Sequence, residues 1–350
     1  MLFIVSTAVK VGKGGISSAL VGFTQSKVLR DYGFRAVSSH SERDKKRRFL
    51  SAYRTLRNEV TAKDTAWLHC GPWLSLFRKW LLARAVKRAG GKVIYHFHSA
   101  KMEAYLLSPV GRFFIRAMLR NADGIAVLTP WWQRLFERKL GALPCPIAVI
   151  GNPLGVELEG IAHQPVSIKP PEGQITLLAM ARLLEKKGVA DVVHALKALP
   201  NNYVLLVAGS GPQEDDLKQL VKKLKLNERV SFLGWVDYDK KLAVIEKANI
   251  FCLPSRYDSF GMGFIEAMAA GLPVVALRQG AVPDVVLDGE TGILVNDASP
   301  STLAKAIELA YANRVELAKN GKQHVLRNYL SEKLAESFIQ FNESIVRQAK

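Results

Sequence analysis

The sequence predicts an α/β protein built from two doubly wound parallel sheets. Short apolar runs of strand length alternate with helical stretches along the chain, which is typical of parallel sheets covered by helices on both faces. The 350 residues, 49% of them hydrophobic, suffice for two domains of about 150 to 175 residues. A proline-rich stretch near the middle of the chain separates two sets of strand-like runs.

Each half of the chain contains a series of predicted strands, most of them rich in apolar residues. In the first half they are Leu2 to Ser6, Arg35 to Ser38, Ala66 to Cys70, Val93 to Phe97, Ile125 to Leu128 and Ile147 to Ile150. In the second half they are Ile175 to Met180, Val204 to Ala208, Val230 to Leu233, Ile250 to Leu253, Val274 to Ala276 and Gly292 to Val295.

Prolines mark the boundary between these two halves. Gly151-Asn152-Pro153 precedes three further prolines between Gln164 and Gly173, which predicts a linker over residues 154–171. The first domain is therefore predicted to span residues 1–153 and the second residues 172–330. Two helix starts are also marked, at Ser108-Pro109 and Thr129-Pro130, where a capping hydroxyl precedes a proline at the first helical position.

The positive charge is confined to the first half of the chain. Residues 1–150 contain 26 Lys and Arg against 8 Asp and Glu, whereas residues 151–350 contain 23 of each kind, so the whole net charge of +18 lies in the first half. This asymmetry predicts an anionic partner for that half: a membrane surface, a phosphorylated acceptor or nucleic acid.

Aromatic residues lie beside several of these cations. Arg112, Arg116 and Arg120 recur every four residues along one predicted helix, and a second basic cluster, at Arg78, Lys79, Arg84, Lys87 and Arg88, surrounds Trp73, Phe77 and Trp80. A solvated helix face explains any one cluster. Together they indicate docking on anionic lipid, where each exposed cation contributes about 1 kcal/mol and tryptophan is suited to the headgroup zone.

Other features exclude several classes of protein. Cys70, Cys145 and Cys252 lie far apart without metal-ligand spacing, which predicts reduced cysteines in a cytosolic protein and no zinc site. The apolar runs are shorter than the roughly 18 to 20 residues of a membrane-spanning helix. The chain opens directly on a strand, so export is not expected.

The segment from Pro254 to Ala276, PSRYDSFGMGFIEAMAAGLPVVA, carries the strongest functional signal. It leaves an apolar strand, crosses a glycine turn and enters a short helix at about Met262. The first amides of a helix lack intrahelical partners and favour an anion such as phosphate. Asp258 precedes the turn and Glu266 lies one turn inside the helix, so they can bind two hydroxyl-bearing parts of one ligand. A nucleotide sugar has that shape, although the turn alone is equally compatible with an ordinary α/β strand and helix.

The whole segment resembles the donor site of family 4 retaining glycosyltransferases, whose fold is called GT-B. Proline-serine, an acid, Phe-Gly, Glu-Ala-Met-Ala, Gly and Pro-Val follow one another as in that family, with Asp258 where Glu is usual. The resemblance implies two Rossmann-like domains facing a cleft, with the last helix, about Ser331 to Ala349, returning to the first domain. It also implies a donor site lined by Phe260, Gly261, Met262 and Gly263.

Two further elements of the second half strengthen the resemblance. Arg182 and Lys187 follow a predicted strand, where both can reach a diphosphate above the strand ends, and they match the family's Arg-Leu-x-x-x-Lys-Gly residue for residue. The resemblance implies that they hold the diphosphate and neutralise the leaving group. By the same resemblance, Gly209, in a Gly-x-Gly-Pro turn, and Val236, after Gly234-Trp235, are candidates for contacting the nucleotide.

The first half contributes fewer candidates. Gly14 and Gly15 lie in a glycine loop that resembles the family's Gly-Gly loop facing the diphosphate and acceptor, although a lone glycine loop is weak evidence. His96 and His98 end a predicted strand, and their spacing places both on one face. A histidine at the end of a strand more often has a structural role than a functional one. The family nevertheless keeps a histidine that contacts the donor sugar, which implies this role for His98.

Neither a metal nor a cofactor is expected. Asp237-Tyr238-Asp239 spells a metal-binding Asp-x-Asp, but it follows a glycine turn, and its first residue is expected to cap a helix beginning near Lys240. The positive charge can come instead from Arg182, Lys187 and the helix start at Met262.

The resemblance implies a retaining glycosyltransferase that moves a hexosyl group from a UDP- or GDP-sugar to a lipid-linked glycan or glycolipid in bacterial surface polysaccharide or lipopolysaccharide synthesis. His98, Asp258, Arg182 and Lys187 form the predicted catalytic set, with Asp258 positioning the sugar and no protein nucleophile. The enzyme is expected to be cytoplasmic and peripheral on the inner face of the membrane. Alternatives are a nucleic-acid binder, which leaves the second-half motifs without purpose, and an inactive relative, for which Asp258 is the only hint.

Overall fold

The computed structural model describes residues 1–7, 15–40, 45–166 and 173–348. Within these residues the chain divides into two compact units, Met1–Val156 with Tyr329–Lys350 and Glu157–Asn328. Each unit contains one parallel sheet flanked by helices. The predicted α/β class with two parallel sheets is confirmed, and every predicted strand is present with its ends within two residues of those predicted.

The first unit is built around a six-stranded sheet in the described residues. Its strands are β1 (Leu2–Thr7), β2 (Phe34–His40), β3 (Thr65–Cys70), β4 (Lys92–Phe97), β5 (Gly124–Val127) and β6 (Ile147–Val149). Its first helices are α1 (Gly15–Gln25), α2 (Lys27–Tyr32), α3 (Lys45–Glu59), α4 (Trp73–Arg88), α5 (Lys101–Leu107), α6 (Pro109–Leu119) and α7 (Pro130–Leu140). The strand order is β2-β1-β3-β4-β5-β6, with parallel neighbours throughout.

The second unit repeats this construction with another strand order. Its strands are β7 (Ile175–Met180), β8 (Tyr203–Ala208), β9 (Val230–Gly234), β10 (Ile250–Leu253), β11 (Val274–Leu277) and β12 (Gly292–Val295). Its helices are α8 (Val156–Ala162), α9 (Val189–Ala198), α10 (Glu214–Lys223), α11 (Tyr238–Ile245), α12 (Met262–Ala269), α13 (Pro300–Ala312) and α14 (Arg314–Asn328). The order β12-β11-β10-β7-β8-β9 reverses direction between β7 and β10.

The last helix, α15 (Ser331–Arg347), belongs to the first unit. Phe338 on this helix stacks on Trp67 of β3, with ring centroids 3.5 Å apart, and Phe23 of α1 meets the same indole edge-on at 4.9 Å. All three rings are fully buried. Because a buried aromatic side chain removes a large apolar area from water, α15 is part of this core and not an appendage.

An acid on α15 also binds the start of α2. Glu332 accepts hydrogen bonds from the backbone amides of Lys27 and Val28, at 2.7 and 2.9 Å, and from the Ser26 hydroxyl at 2.7 Å. Burial opposes ionisation of this carboxyl, but the hydrogen bonds and the nearby Arg30 outweigh it and lower the pKa of Glu332. The carboxylate therefore supplies partners to amides that helix α2 leaves unpaired.

The two predicted proline helix starts differ in their capping. Ser108 accepts a hydrogen bond from the Gly111 amide at 3.2 Å and caps α6 as predicted. Thr129 precedes α7, but its hydroxyl makes no capping bond, so that prediction was wrong. The Thr129 hydroxyl is instead buried without a hydrogen-bond partner among the described residues.

Three further observations concern the cysteines, membrane-spanning helices and the predicted linker. Cys70, Cys145 and Cys252 are free, and Cys70 and Cys252 are buried. Within the described residues, none of the helices combines the length and the apolar character needed to span a membrane. The predicted linker region contains helix α8 and therefore includes regular structure.

Candidate functional site

The loops that follow β7 and β10 are neighbours because these two strands pair. Ile250 and Phe251 of β10 lie opposite Leu177 and Leu178 of β7. The sheet order reverses at this pair, and open α/β sheets bind ligands at such a point, beyond the carboxyl ends of the strands. The loop after β7 carries Arg182 and Lys187, and the loop after β10 carries Asp258.

The structure brings two of the predicted site residues into direct contact. Lys187 Nζ lies 2.7 Å from Asp258 Oδ1 and 3.0 Å from the Tyr257 carbonyl oxygen. The two side chains are only 16% and 14% exposed. Asp258 Oδ2 is buried and has no hydrogen-bond partner among the described residues. One oxygen of this carboxylate is therefore held by lysine while the other keeps its accepting capacity.

Backbone contacts hold these two loops together. The Arg256 amide donates to the Lys186 carbonyl at 2.8 Å. Gly188 has a φ of +75°, and a Cβ at this position would lie 2.6 Å from the Pro254 carbonyl oxygen. The close approach requires glycine, since any side chain would push the loops apart. It fixes the spacing that allows Lys187 to reach Asp258.

The turn before α12 has the geometry that its glycines predicted. Gly261 precedes the helix with a φ of +93°, where a side chain would overlap the Phe264 ring. A Cβ at Gly263 would lie 2.9 Å from the Phe251 ring. Phe260 is buried, whereas Met262 is partly exposed at the first turn of the helix. The start of α12 therefore lies close above the sheet, where its first amides have no partner within the helix.

Glu266 has a partner that was not predicted. Lys241 Nζ on α11 lies 2.7 Å from Glu266 Oε1, and the glutamate side chain is 3% exposed. Lys241 is one of two adjacent lysines on α11, and the sequence gives no signal that it pairs with Glu266. Helix α11 begins at Tyr238, two residues before Lys240, and Asp237 stands at its N-cap position but makes no side-chain capping bond. Its carboxylate instead accepts from the Trp235 indole at 3.0 Å, so the capping prediction was wrong.

The remaining predicted residues of the second unit lie just after the carboxyl ends of β7, β8 and β9. Gly209, after β8, has a φ of +150°, and a Cβ there would overlap the Ala181 carbonyl oxygen. Its amide donates to the Gly234 carbonyl at 2.7 Å, which joins the ends of β8 and β9. Arg182 follows Ala181 and is exposed, and Val236 is partly exposed. The guanidinium is thus accessible to an anion beyond β7.

In the first unit, His98 belongs to a cluster of three buried histidines. His69 lies next to the end of β3, His96 lies opposite it on β4, and His98 follows β4. His69 Nδ1 and His98 Nε2 are 2.9 Å apart, and His96 Nε2 is 2.9 Å from the Ile150 carbonyl oxygen. Sequence reasoning missed His69, although its strand and its register with His96 could have revealed it. Gly14 lies outside the described residues, and Gly15 begins α1.

Burial keeps these three imidazoles neutral. It lowers the pKa of His98 to about 3, although Asn152 acts in the opposite direction through a hydrogen bond. Burial together with the neighbouring imidazoles lowers the pKa of His69 and of His96 well below the usual value. One nitrogen of each ring lies within 4.8 Å of the others, so the set could hold a metal ion, because neutral imidazole is the form that ligates metals.

One cation of the predicted basic surface lies in the protein interior. Lys79 is 1% exposed and donates to the Ser39 hydroxyl, and burial lowers its pKa to about 7. It therefore does not belong to an exposed cationic face, and that prediction was wrong. Arg112 and Arg116 use guanidinium groups to bind backbone carbonyls of Leu107 and Leu140, at 3.0 and 3.1 Å.

Large apolar side chains are exposed on α4, α5 and α6. Trp73 stacks on Tyr105 at 4.7 Å and meets Phe114 at 5.0 Å, which joins α4 to α5 and α6. Around this contact, six apolar side chains are between 42% and 76% exposed: Trp73, Leu74, Phe77, Leu107, Val110 and Phe113. We call these six residues the apolar face. Such a group of exposed apolar residues is typical of an interaction site.

Two family profiles match this chain. Residues 17–158 match the one described as Glycosyltransferase Family 4, and residues 161–325 match the one described as Glycosyl transferases group 1. The chain is a group 1 glycosyltransferase of family 4. This glycosyltransferase is 27% identical, over 250 residues, to the lipopolysaccharide core biosynthesis glycosyltransferase LpsE of Rhizobium meliloti, which covers 68% of this chain and 69% of the relative. With several other curated relatives, the match covers about half of their length.

Solved structures confirm the predicted GT-B fold of the glycosyltransferase. Sucrose-phosphate synthase from Thermosynechococcus elongatus matches with a TM-score of 0.79 and 23% identity, covering 99% of both chains. Anabaena HepE in complex with UDP-glucose matches with a TM-score of 0.73 and 17% identity, covering 98% of this chain and 99% of that one.

Proposed function

We propose that this glycosyltransferase moves a hexosyl group from a UDP- or GDP-sugar to a lipid-linked glycan or glycolipid, with retention of configuration, in bacterial surface polysaccharide synthesis. The observation that carries the donor half of the proposal is the contact of Lys187 with Asp258 at the reversal point of the second sheet. The UDP-glucose bound to HepE supports a nucleotide sugar as donor. The name of LpsE supports a lipopolysaccharide-type product.

Cations and amides beyond β7 and β10 would bind the diphosphate. Arg182 is exposed in the loop after β7, and Lys187 lies further along the same loop. The first amides of α12 add partial positive charge at the same end of the sheet. Together these groups would stabilise the negative charge that builds up on the leaving diphosphate. We therefore propose transfer without a metal ion.

The two carboxylates would bind hydroxyl groups at two places on the donor. Asp258 has one oxygen held by Lys187 and the other without a partner, which leaves an acceptor for a hexose hydroxyl. Glu266 lies one helical turn further and has one oxygen held by Lys241, so its other oxygen is the candidate for the ribose. The lysines keep both carboxylates oriented while each accepts a hydroxyl.

His98 would contact the donor sugar as a neutral group. Burial lowers the pKa of its imidazole to about 3, so protonation does not accompany turnover near neutral pH. A neutral imidazole of this kind offers a hydrogen bond and does not serve as a general base at that pH. We therefore propose that the leaving phosphate helps to deprotonate the acceptor and that no side chain acts as a nucleophile.

The acceptor half of the proposal rests on the first unit. The excess positive charge lies in residues 1–150, and the apolar face presents large side chains to solvent within the same stretch. Anionic headgroups would attract the cations, and the exposed aromatic and aliphatic side chains would enter the headgroup zone. We propose that this face brings the enzyme to the inner surface of the cytoplasmic membrane, where a lipid-linked acceptor is available.

A thermal-shift screen tests the proposed donor site. The purified protein is heated with a panel of UDP- and GDP-sugars, each compared with the free nucleotide, and Arg182→Ala is treated in the same way. The donor should raise the Tm of the native protein and should raise that of Arg182→Ala much less. If no nucleotide or nucleotide sugar raises the Tm at millimolar concentration, the donor assignment is wrong.

A further inference from the structure

The three buried histidines form a hydrogen-bonded set whose proton positions can be assigned. A backbone carbonyl only accepts hydrogen bonds, so His96 must carry its proton on Nε2, which faces the Ile150 carbonyl oxygen at 2.9 Å. His96 Nδ1 then bears a lone pair and has no partner among the described residues. This ring does not share the proton that lies between the other two.

The proton between His69 and His98 can lie on either ring. His69 Nδ1 and His98 Nε2 are 2.9 Å apart and both rings are neutral, so one of these nitrogens donates and the other accepts. If His69 donates, His98 carries its own proton on Nδ1. If His98 donates from Nε2, its Nδ1 becomes an acceptor and His69 Nε2 becomes a buried N–H group.

Asn152 favours the first arrangement. Its side chain is 3% exposed and raises the pKa of His98 as a hydrogen-bond acceptor would, and both Asn152 Oδ1 and His98 Nδ1 are buried without another assigned hydrogen bond in the described ranges. An Nδ1 proton on His98 would satisfy this oxygen. The opposite arrangement would leave a buried N–H on His69 beside the rings of Trp67 and Phe23, and unpaired buried N–H groups are rare.

We propose that His69 is a positioning residue, which donates from Nδ1 to His98 Nε2 and so holds His98 as the Nδ1–H tautomer. His98 Nδ1, which is buried, then donates towards Asn152, and this proton fixes the orientation of the imidazole that the proposed function places against the bound sugar. Only the contact of His98 with a sugar rests on the proposed function. The tautomer itself follows from the contacts of His69, His98 and Asn152 in the first unit.

Nuclear magnetic resonance measures the tautomer without any substrate. Protein labelled with ¹⁵N in the imidazole rings is examined by long-range proton–nitrogen correlation, and His98→Gln identifies the His98 signals. Two near-isosteric variants separate donation from packing. His69→Asn keeps an N–H near the position of Nδ1, whereas His69→Leu removes it. We expect the Nδ1–H tautomer of His98 in the native protein and in His69→Asn, and a mixture or the Nε2–H tautomer in His69→Leu.

The second measurement is the steady-state rate of the enzyme, which gives kcat and KM. With the nucleotide sugar identified in the thermal-shift panel, His69→Leu should lower kcat roughly tenfold, the effect of one hydrogen bond at a reacting sugar, with little change in KM. His69→Asn should restore most of the rate. An equal loss in both variants would assign His69 to packing and overturn the positioning role.

Two results would overturn the inference, one from the tautomer measurement and one from the metal content of the purified protein. One is an Nε2–H tautomer of His98 in the native protein. The other is one tightly bound transition-metal ion per chain in the purified protein, since the metal would then occupy the place of the shared proton. If the native protein turns over no nucleotide sugar, the proposed function fails, but the tautomer measurement still decides the role of His69.

Discussion

Lys187 and Asp258 form an ion pair that joins the loops after two neighbouring strands, with 2.7 Å between Nζ and Oδ1. Both side chains are largely removed from solvent, so each is the main neutralising partner of the other in the described part of the chain. The pair links the diphosphate-binding and sugar-binding roles proposed for these loops. A change in either residue should therefore affect stability as well as catalysis.

Removing the lysine alone should destabilise the second unit. Lys187→Met leaves the Asp258 carboxylate without its cation in a mostly buried position, which should lower the free energy of unfolding by roughly 1 to 3 kcal/mol. Urea denaturation followed by circular dichroism measures the change. In Lys187→Met/Asp258→Asn the unpaired charge is absent, so the double variant should be more stable than Lys187→Met. Additive losses would contradict the coupling.

Lys241 should control the affinity for the nucleotide. Because its ammonium holds Glu266 Oε1 at 2.7 Å, Lys241→Met should release the carboxylate and raise the KM for the donor roughly tenfold, with a smaller effect on kcat. Lys240→Met, at an exposed neighbouring position, is the matched control. Steady-state kinetics over a range of donor concentrations separates the two constants. An equal increase in KM for both variants would show that only the charge of α11 matters.

Gly209 should not tolerate a side chain. A Cβ there would overlap the Ala181 carbonyl oxygen, and the φ of +150° is unfavourable for other residues. Gly209→Ala should therefore lower the free energy of unfolding by roughly 2 kcal/mol or more. Gly160→Ala is the control, because no atom lies within 4 Å of its added Cβ in helix α8. It should be neutral or stabilising by up to about 1 kcal/mol. Thermal denaturation of both variants checks the contrast.

The contribution of Glu332 should depend on pH. Its pKa is lowered in the folded protein, so it contributes stability above the pKa of the unfolded chain and loses that contribution as the pH falls through the folded pKa. Glu332→Gln should therefore lower the Tm at pH 7, and the difference from the native protein should shrink as the pH falls below about 4. Glu336→Gln, an exposed glutamate on the same helix, should show little difference at any pH. A Glu332→Gln deficit that stays constant down to pH 3 would contradict the shift.

The apolar face should be required for membrane binding. Phe113 is 73% exposed, and Phe113→Glu should reduce sedimentation with vesicles containing anionic lipid, because it adds a negative charge and removes an apolar contact. Leu309→Glu alters an exposed apolar residue of the second unit and should bind normally. Native protein that does not prefer anionic over zwitterionic vesicles at moderate salt would refute membrane docking.

Much of the fold could be predicted from the sequence because strand runs and breakers are local signals. The strands and the glycine turn before α12 depend on patterns within a few residues, and the rules for parallel sheets place the loops after the strands at one edge of the sheet. Side-chain contacts between separate elements are different in kind, because the pairing of Lys241 with Glu266 and the contact of His69 with His98 depend on how those elements pack.

Two wrong predictions have the same physical cause. Lys79 lies in a basic, aromatic stretch typical of a solvated face, but its position on α4 directs it inward to Ser39. Thr129 has the sequence of a helix cap, but its hydroxyl is buried without the capping bond. In both cases the local composition indicates one environment and the packing of neighbouring elements provides another.

The stacking of Phe338 on Trp67 constrains the order of events during synthesis. The core of the first unit includes a helix that the ribosome delivers only after residues 157–328 have been translated. The second unit is continuous in sequence and can complete its sheet earlier. The apolar surface around Trp67 therefore stays incompletely covered in the nascent first unit until α15 has been synthesised.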